Sequence, residues 1–138
     1  MIAYLESSVL LRKLFRQKNA LQNLKEFSIL LSSNLTLLEA YRSIDRERIV
    51  SKLPEIALLA YMKDLHAFTE RIHLVEMSPL IFKRASQPLP SVVSTLDSIH
   101  LITALLWKEH NQKEITFLTH DTQLGKAALF MGLTAKGF

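Results

Sequence analysis

The chain contains no cysteine and only three glycines and four prolines among its 138 residues. Without cysteine there are neither disulfides nor thiolate ligands, so any metal site must use oxygen or imidazole ligands. With so few glycines, neither the G-x-x-x-x-G-K-[ST] loop nor the G-x-G-x-x-G turn is present to hold a nucleotide phosphate. No apolar run approaches the roughly 18 residues of a membrane helix, and no basic secretory leader is visible, so we expect a cytoplasmic protein.

The composition is that of one compact domain, which we expect to span residues 1–138. Nearly half of the residues (49%) are hydrophobic, which favours a well-packed core over disorder. Lys and Arg number 17 against 13 Asp and Glu, which gives a net charge of +4. This excess of positive charge favours a polyanionic partner such as nucleic acid.

Short apolar runs alternate with segments of helical periodicity. The runs predict strands at 2–5, 27–31, 72–77 and 115–119. Helices are predicted to begin at Ser7, near Thr36, at Leu53, at Ser78, between Ser94 and Asp97, and at Asp121. This alternation predicts a three-layer α/β domain with a mostly parallel sheet, with the helix at 53–71 set to one side. We expect Trp107, Phe117 and Phe130 to lie in its core.

Four acids stand where a strand or a turn gives way to a helix: Glu6, Glu39, Asp97 and Asp121. In a parallel sheet the strand-to-helix junctions share the carboxyl edge, so acids distant in sequence can converge there. Convergent carboxylates bind hard divalent cations such as Mg²⁺. The pattern therefore predicts a metal site at this edge.

Helix capping is the alternative explanation for each acid taken singly. Thr36 and Glu39 have the spacing of a capping box, as do Ser94 and Asp97. Asp121 has the position of an N-cap residue. Both explanations stay open at the level of the sequence.

Four segments resemble the successive motifs of PIN-domain ribonucleases, and in particular the VapC toxins of type II toxin–antitoxin pairs. They are residues 2–11 around Glu6, 35–42 around Glu39, 96–104 around Asp97 and 117–121 ending at Asp121. Their order and spacing match over nearly the whole chain. The resemblance implies a three-layer PIN-like fold.

The resemblance also implies a Mg²⁺- or Mn²⁺-dependent endoribonuclease. The catalytic and metal-binding quartet would be Glu6, Glu39, Asp97 and Asp121, supported by Ser8 and Thr119. Hydrolysis would leave a 5′-phosphate and a 3′-hydroxyl. The implied partners are RNA, a VapB-like antitoxin and a second copy of the chain in a homodimer.

The first acid departs from the family, in which this position is almost always aspartate. The extra methylene of Glu6 moves the carboxylate by roughly 1 Å, and such a displacement can cost about a hundredfold in rate. Two outcomes follow: Glu6 reaches a metal ion from a shifted backbone, or the domain is a weak or inactive nuclease that binds RNA or protein. A phosphoacceptor receiver domain fits less well, because only Glu6 follows the first strand.

The basic residues near the motifs are candidates for contacts with RNA phosphates: Arg12, Lys13, Arg42 and Arg46. An Arg42–Glu39 pair at i, i+3 is the structural alternative. The apolar residues Leu10, Leu11, Leu14, Phe15 and Leu38 are expected either to form a groove for an antitoxin helix or to face the core. We do not expect His66, His73 or His100 to be metal ligands.

Overall fold

Strands and helices alternate along the chain in the computed structural model, which describes all 138 residues. The strands are β1 (Ile2–Leu5), β2 (Ile29–Ser33), β3 (His73–Val75), β4 (Thr116–Leu118) and β5 (Thr134–Lys136). The helices are α1 (Ser7–Leu14), α2 (Leu35–Val50), α3 (Glu55–Thr69), α4 (Pro79–Ala85), α5 (Thr95–Asn111) and α6 (Thr122–Phe130), with a 3-10 turn at Leu24–Glu26. No helix is both long and apolar enough to cross a membrane.

The five strands form one parallel sheet in the order β3-β2-β1-β4-β5. Successive side chains of a strand point to opposite faces. Accordingly, Tyr4 of β1 packs in the core on the side of α5 and α6, whereas Ala3 and Leu5 pack with Val9 of α1 on the other side. The predicted three-layer α/β architecture is therefore confirmed.

Helix α3 lies to one side of the sheet, as predicted for 53–71, although it is shorter. It packs on α1 and α2 through a separate apolar cluster that contains Leu10, Leu14 and Leu65. Leu10 and Leu14 are nearly fully buried, so they belong to the core and cannot line an open groove. Leu38 is 57% exposed. Of the five apolar residues weighed for a groove, Leu38 alone is exposed.

Strand β2 begins and ends two residues later than the predicted 27–31. Phe27 closes the 3-10 turn, while Ser32 and Ser33 continue the strand although serine favours loops. The Ser32 hydroxyl is satisfied inside the protein, because it lies 2.6 Å from the Leu5 carbonyl and 2.7 Å from Thr36 Oγ1. The predicted strands 72–77 and 115–119 are likewise shorter in the structure.

At the end of the chain, one strand was missed and one expectation is wrong. The edge strand β5 was not predicted, because its three residues include a single apolar side chain, the half-buried Ala135. Phe130 was expected in the core, but it is 78% exposed at the end of α6. Phe117 is fully buried as predicted, and Trp107 packs against the core from a half-buried position.

Candidate active site

The acidic side chains lie at the carboxyl edge of the sheet. Glu6 directly follows β1, and Asp121 lies three residues after the end of the neighbouring β4. The Glu6 N–H donates to the Leu118 carbonyl at 2.9 Å, which holds the two chain segments side by side as they leave the sheet. Asp97 lies in the first turn of α5, and Glu39 lies on α2.

Glu6 is buried, with 4% of its surface exposed, and its carboxylate is surrounded by donors from its own motif. Oε1 accepts from the Ser7 hydroxyl at 2.6 Å and from the Ser8 N–H at 3.0 Å. Oε2 accepts from the Ser8 hydroxyl and from Thr119 Oγ1, the latter at 2.9 Å. Ser8 and Thr119, the residues expected to support the site, thus both hold Glu6. The side chain also caps the N-terminus of α1 through Ser8.

Ser7, which the sequence analysis did not single out, joins two of the acids. Its hydroxyl lies 2.6 Å from Glu6 Oε1 and 2.9 Å from Glu39 Oε2. A hydroxyl has one proton and can donate it to one carboxylate oxygen at a time. Glu6 and Glu39 therefore compete for a single donor, which couples the two acids directly.

Glu39 is held from its other side by His100, a second residue that was not expected to be functional. His100 is fully buried on α5, and its Nε2 lies 2.6 Å from Glu39 Oε1. Its Nδ1 lies 2.8 Å from the Tyr4 hydroxyl, which in turn accepts from the Ser33 N–H at 3.1 Å. Both ring nitrogens of His100 therefore have hydrogen-bond partners.

Asp97 lies in an electrostatic environment that disfavours its ionised form. Burial raises the pKa of the Asp97 carboxyl, and the carboxylates of Glu6 and Asp121 raise it further. A hydrogen bond from the Ser94 hydroxyl, 2.7 Å from Asp97 Oδ2, opposes this effect. The carboxylate of Asp97 is therefore repelled by those of Glu6 and Asp121.

Asp97 and Asp121 line a common cleft of about 200 Å³ between the starts of α5 and α6. Asp121 is exposed, and its Oδ1 accepts from the Leu124 N–H at 2.8 Å. Its second oxygen makes no hydrogen bond within the chain. This cleft gives the acidic edge an opening to solvent.

Helix capping accounts for three of the acids in part, Glu6, Asp97 and Asp121, and for Glu39 not at all. Asp121 is the N-cap of α6, and Ser94 caps α5 by accepting from the Asp97 N–H at 3.4 Å. The predicted Thr36–Glu39 capping box is wrong, because α2 begins at Leu35 and the Thr36 hydroxyl bonds to Ser32. Glu39 is therefore free of a capping role and bonds to Ser7 and His100 instead.

The PIN domain family model matches residues 3–129 of the chain. The chain belongs to the PIN domain family. A search of curated proteins finds no significant match. The fold is similar to that of a chain in the crystal structure of VapBC2 from Rickettsia felis bound to a DNA fragment from their promoter, with a TM-score of 0.68. Sequence identity to that chain is 15%, and the alignment covers 99% of this chain and 98% of that one.

PIN domains are generally metal-dependent nucleases, and the acids of this PIN domain suit a divalent cation in charge and ligand type. Carboxylate oxygens are the ligands that Mg²⁺ and Mn²⁺ prefer, and a cation relieves the repulsion that raises the pKa of Asp97. In the present conformation no three acidic or histidine side chains are spaced to hold an ion. Asp97 and Asp121 nevertheless line an open cleft, and each has one carboxylate oxygen without a hydrogen bond within the chain.

The basic candidates divide between two regions. Arg42, which was weighed as a partner of Glu39, instead pairs with Asp45 at 3.3 Å and is 69% exposed. Arg46 is exposed on the same helix and has no acidic partner. Arg12 and Lys13 lie in the last turn of α1, at the opposite end of that helix from Glu6. Burial lowers the pKa of Lys13, and the nearby charge of Arg71 lowers it further.

Proposed function

We propose that this PIN domain is a divalent-metal-dependent endoribonuclease that acts as the toxin of a VapBC-like toxin–antitoxin pair. The observation that carries the proposal is the linkage of two motif acids, Glu6 and Glu39, by the Ser7 hydroxyl, beside a cleft lined by the other two, Asp97 and Asp121. Acids that served only as helix caps would not be expected to share a hydrogen-bond donor with an acid of another helix.

In this proposal Glu39, Asp97 and Asp121 hold the cation, with Glu6 as a fourth ligand. A bound Mg²⁺ or Mn²⁺ supplies an activated water and stabilises negative charge on the phosphate. Ser7 and His100 hold the Glu39 carboxylate in place, and Ser8 and Thr119 do the same for Glu6. Hydrolysis of the RNA phosphodiester bond would leave a 5′-phosphate and a 3′-hydroxyl.

The positive side chains Arg12, Lys13, Arg42 and Arg46 are proposed to contact RNA phosphates. Such contacts position a strand without reading its sequence. The net charge of +4 favours this role. Replacing one of them should weaken RNA binding uniformly across sequences and reduce its salt dependence.

The test of the enzyme is incubation of the purified protein with total RNA in the presence of Mn²⁺, Mg²⁺ or EDTA. Discrete fragments that appear with either ion and vanish with EDTA are expected. Asp97→Asn, which keeps the size of the side chain and removes its charge, should produce none. Cleavage by this variant at the wild-type rate would contradict the assignment of the acids.

A second candidate function is that of a PIN-like module that binds RNA or protein with little or no cleavage. The specific observation in its favour is that Glu6 accepts hydrogen bonds from Ser8 and Thr119 and shares the Ser7 proton with Glu39, so most of its lone pairs are occupied. Metal-dependent RNA binding without fragments would favour this candidate.

The proposed protein partner is an antitoxin that covers the α2–α3 hairpin. This hairpin exposes seven large apolar side chains: Leu38, Tyr41, Ile49 and Val50 on α2, and Ile56, Leu59 and Met62 on α3. An amphipathic helix is the kind of segment that such a surface accepts. We further propose that the protein acts in the cytoplasm. We also propose that it forms a homodimer, and sedimentation analysis would test this oligomeric state.

Toxicity and its reversal test this part of the proposal in cells. Expression of the chain alone should slow growth of the host, and co-expression of an adjacent antitoxin gene should restore it. The Asp97→Asn variant, which should still bind the antitoxin, is the matched control and should be harmless. A wild-type chain that does not affect growth would contradict the toxin assignment.

A further inference from the structure

A continuous row of hydrogen bonds runs from the sheet backbone to Glu39. It begins at the Ser33 N–H, passes through the Tyr4 hydroxyl and the His100 ring, and ends at Glu39 Oε1, with donor–acceptor distances of 3.1, 2.8 and 2.6 Å. Tyr4 and His100 are both fully buried. The row joins side chains of β1, α5 and α2 to the backbone of β2.

The two end bonds of the row have a definite direction. The Ser33 N–H can only donate, so the Tyr4 oxygen accepts there and its own proton is available to His100 Nδ1. Burial raises the pKa of Tyr4 well above its ordinary value, so the hydroxyl keeps that proton. At the other end of the row the Glu39 carboxylate can only accept, so His100 Nε2 donates to it, whereas the direction of the bond between Tyr4 and His100 depends on the His100 tautomer.

We propose that His100, anchored by Tyr4, is a positioning residue that fixes the Glu39 carboxylate for binding a divalent cation. This inference rests on the proposed function, since it assumes that Glu39 is a ligand. Glu39 Oε1 receives the His100 bond, and Oε2 lies 2.9 Å from the Ser7 hydroxyl that it shares with Glu6, so each oxygen keeps at least one free lone pair and the His100 bond restrains the carboxylate.

The positioning role has a physical reason. A free glutamate side chain samples several rotamers, and ordering it upon ion binding costs free energy. Outer contacts that order a ligand before the ion arrives remove that cost, and their loss typically weakens metal affinity about 10–100-fold. A purely structural role, in which His100 merely satisfies buried polar groups, predicts no such change.

Two amide substitutions at His100 separate the two roles. The amide nitrogen of Gln can reach the position of Nε2, so His100→Gln keeps a donor for Glu39 and loses the bond to Tyr4. The shorter Asn reaches only the position of Nδ1, so His100→Asn keeps the bond to Tyr4 and loses the bond to Glu39. Both place a smaller polar group in the same buried site, which makes them matched controls for stability.

The experiment measures Mn²⁺ affinity of the full chain from the electron paramagnetic resonance signal of free Mn²⁺, without any RNA. His100→Asn should bind Mn²⁺ about 10–100-fold more weakly than wild type, whereas His100→Gln, which keeps a donor for Glu39 but not the bond to Tyr4, should lose clearly less affinity than His100→Asn. Circular dichroism and the melting temperature in EDTA show that the compared variants are folded. Equal affinities of the Asn variant and wild type would overturn the inference.

Tyr4→Phe provides a second test should His100→Asn fail to fold. It keeps the ring, which stacks on Phe117 with a centroid distance of 5.4 Å, and removes only the hydroxyl. Mn²⁺ affinity should fall at least about threefold, because the His100 ring loses its anchor. Unchanged affinity would overturn the inference.

Failure of the inference is distinguishable from failure of the proposed function. A wild-type protein that binds no Mn²⁺ at millimolar concentration overturns both. A wild-type protein that binds Mn²⁺ at a site lost in Asp97→Asn, with unchanged binding by the His100→Asn and Tyr4→Phe variants, overturns only the positioning role.

Discussion

Replacing Glu6 by Gln should destabilise the fold even without metal or RNA. The amide would turn its NH2 group toward the Ser8 and Thr119 hydroxyls, both of which now donate to Oε2. Two charge-assisted hydrogen bonds lost at about 1.5 kcal/mol each amount to about 3 kcal/mol. Removing the negative charge relieves the repulsion of Asp97, which offsets on the order of 1 kcal/mol. The hydrogen bonds therefore dominate, and the net loss is about 2 kcal/mol.

This loss corresponds to a measurable change in melting temperature. The unfolding entropy of 138 residues is about 0.29 kcal/mol/K, so a loss of about 2 kcal/mol lowers Tm by about 7 °C. Thermal unfolding in EDTA, followed by circular dichroism, measures the shift. Glu26→Gln is the matched control: Glu26 is exposed and forms no side-chain hydrogen bond or ion pair, so its replacement should change stability by less than about 0.5 kcal/mol.

Glu6→Asp separates the structural role of Glu6 from its role toward the metal. Asp keeps the charge and remains a good N-cap for α1, but its shorter side chain gives up contacts with the hydroxyls. It should melt below wild type and above Glu6→Gln. If Glu6 is also a ligand, Mn²⁺ should raise Tm of Glu6→Asp and raise that of Glu6→Gln less. Equal melting temperatures of wild type and Glu6→Gln would refute the claim that these donors hold the carboxylate.

Three further perturbations test other parts of the structure. Because burial raises the pKa of Asp97, the folded state binds more protons than the unfolded state between the ordinary and the raised pKa, and the stability of the fold decreases as pH rises through that window. Urea unfolding in EDTA should therefore show that Asp97→Asn is more stable than wild type at pH 7. This gain should vanish below the ordinary pKa of aspartate. Gly137→Ala places a Cβ 2.7 Å from the Thr119 carbonyl at a φ of +102°, so it should cost at least about 1 kcal/mol in urea unfolding. Leu38→Glu, on an exposed apolar surface, should abolish co-purification with the antitoxin and leave Tm unchanged.

Sequence reasoning located the acids because a parallel sheet constrains where strands end. Glu6 and Asp121 each follow an apolar run, and once the sheet is parallel their junctions must share an edge. The adjacency of β1 and β4 then sets the two segments side by side, with Leu5 paired to Leu118. The positions of these two residues at the sheet edge follow from the order of strands and helices in a parallel sheet, so they can be predicted without knowing how the side chains pack.

The contacts that join the acids could not be predicted in the same way. His100 meets Glu39 across 61 positions and Tyr4 across 96, and no local spacing encodes either contact. A faint signal was present, since His100 stands in the apolar run of α5 and a buried imidazole requires polar partners. Ser7 gave no such signal, because a serine at a helix start already has an ordinary capping explanation.

The lengths of secondary-structure elements were missed where tertiary contacts override local preference. Ser32 and Ser33 read as a loop, yet they extend β2 because Leu5, Thr36 and Tyr4 satisfy their polar groups inside the protein. Strand β5 has no periodic apolar pattern, because it lies at the sheet edge and pairs with β4 alone. Phe130 was expected in the core because its side chain is large and apolar, but it is the last residue of α6 and its side chain faces solvent.

Glu6, which stands where the family has aspartate, differs from the other three acids in how many of its lone pairs are free for a cation. A carboxylate offers about four lone-pair sites; three of Glu6 accept hydrogen bonds from Ser8 and Thr119, and the fourth shares the Ser7 proton with Glu39. Glu39 has two such contacts, and Asp97 and Asp121 each have one from a hydroxyl or an N–H. In the proposed site a cation would reach the latter three acids at unused lone pairs, whereas it would have to displace a donor to reach Glu6. Because the Ser7 proton is shared between Glu6 and Glu39, any shift of that proton toward one acid frees a lone pair on the other. The position of the Ser7 proton thus determines whether Glu6 or Glu39 has the additional free lone pair.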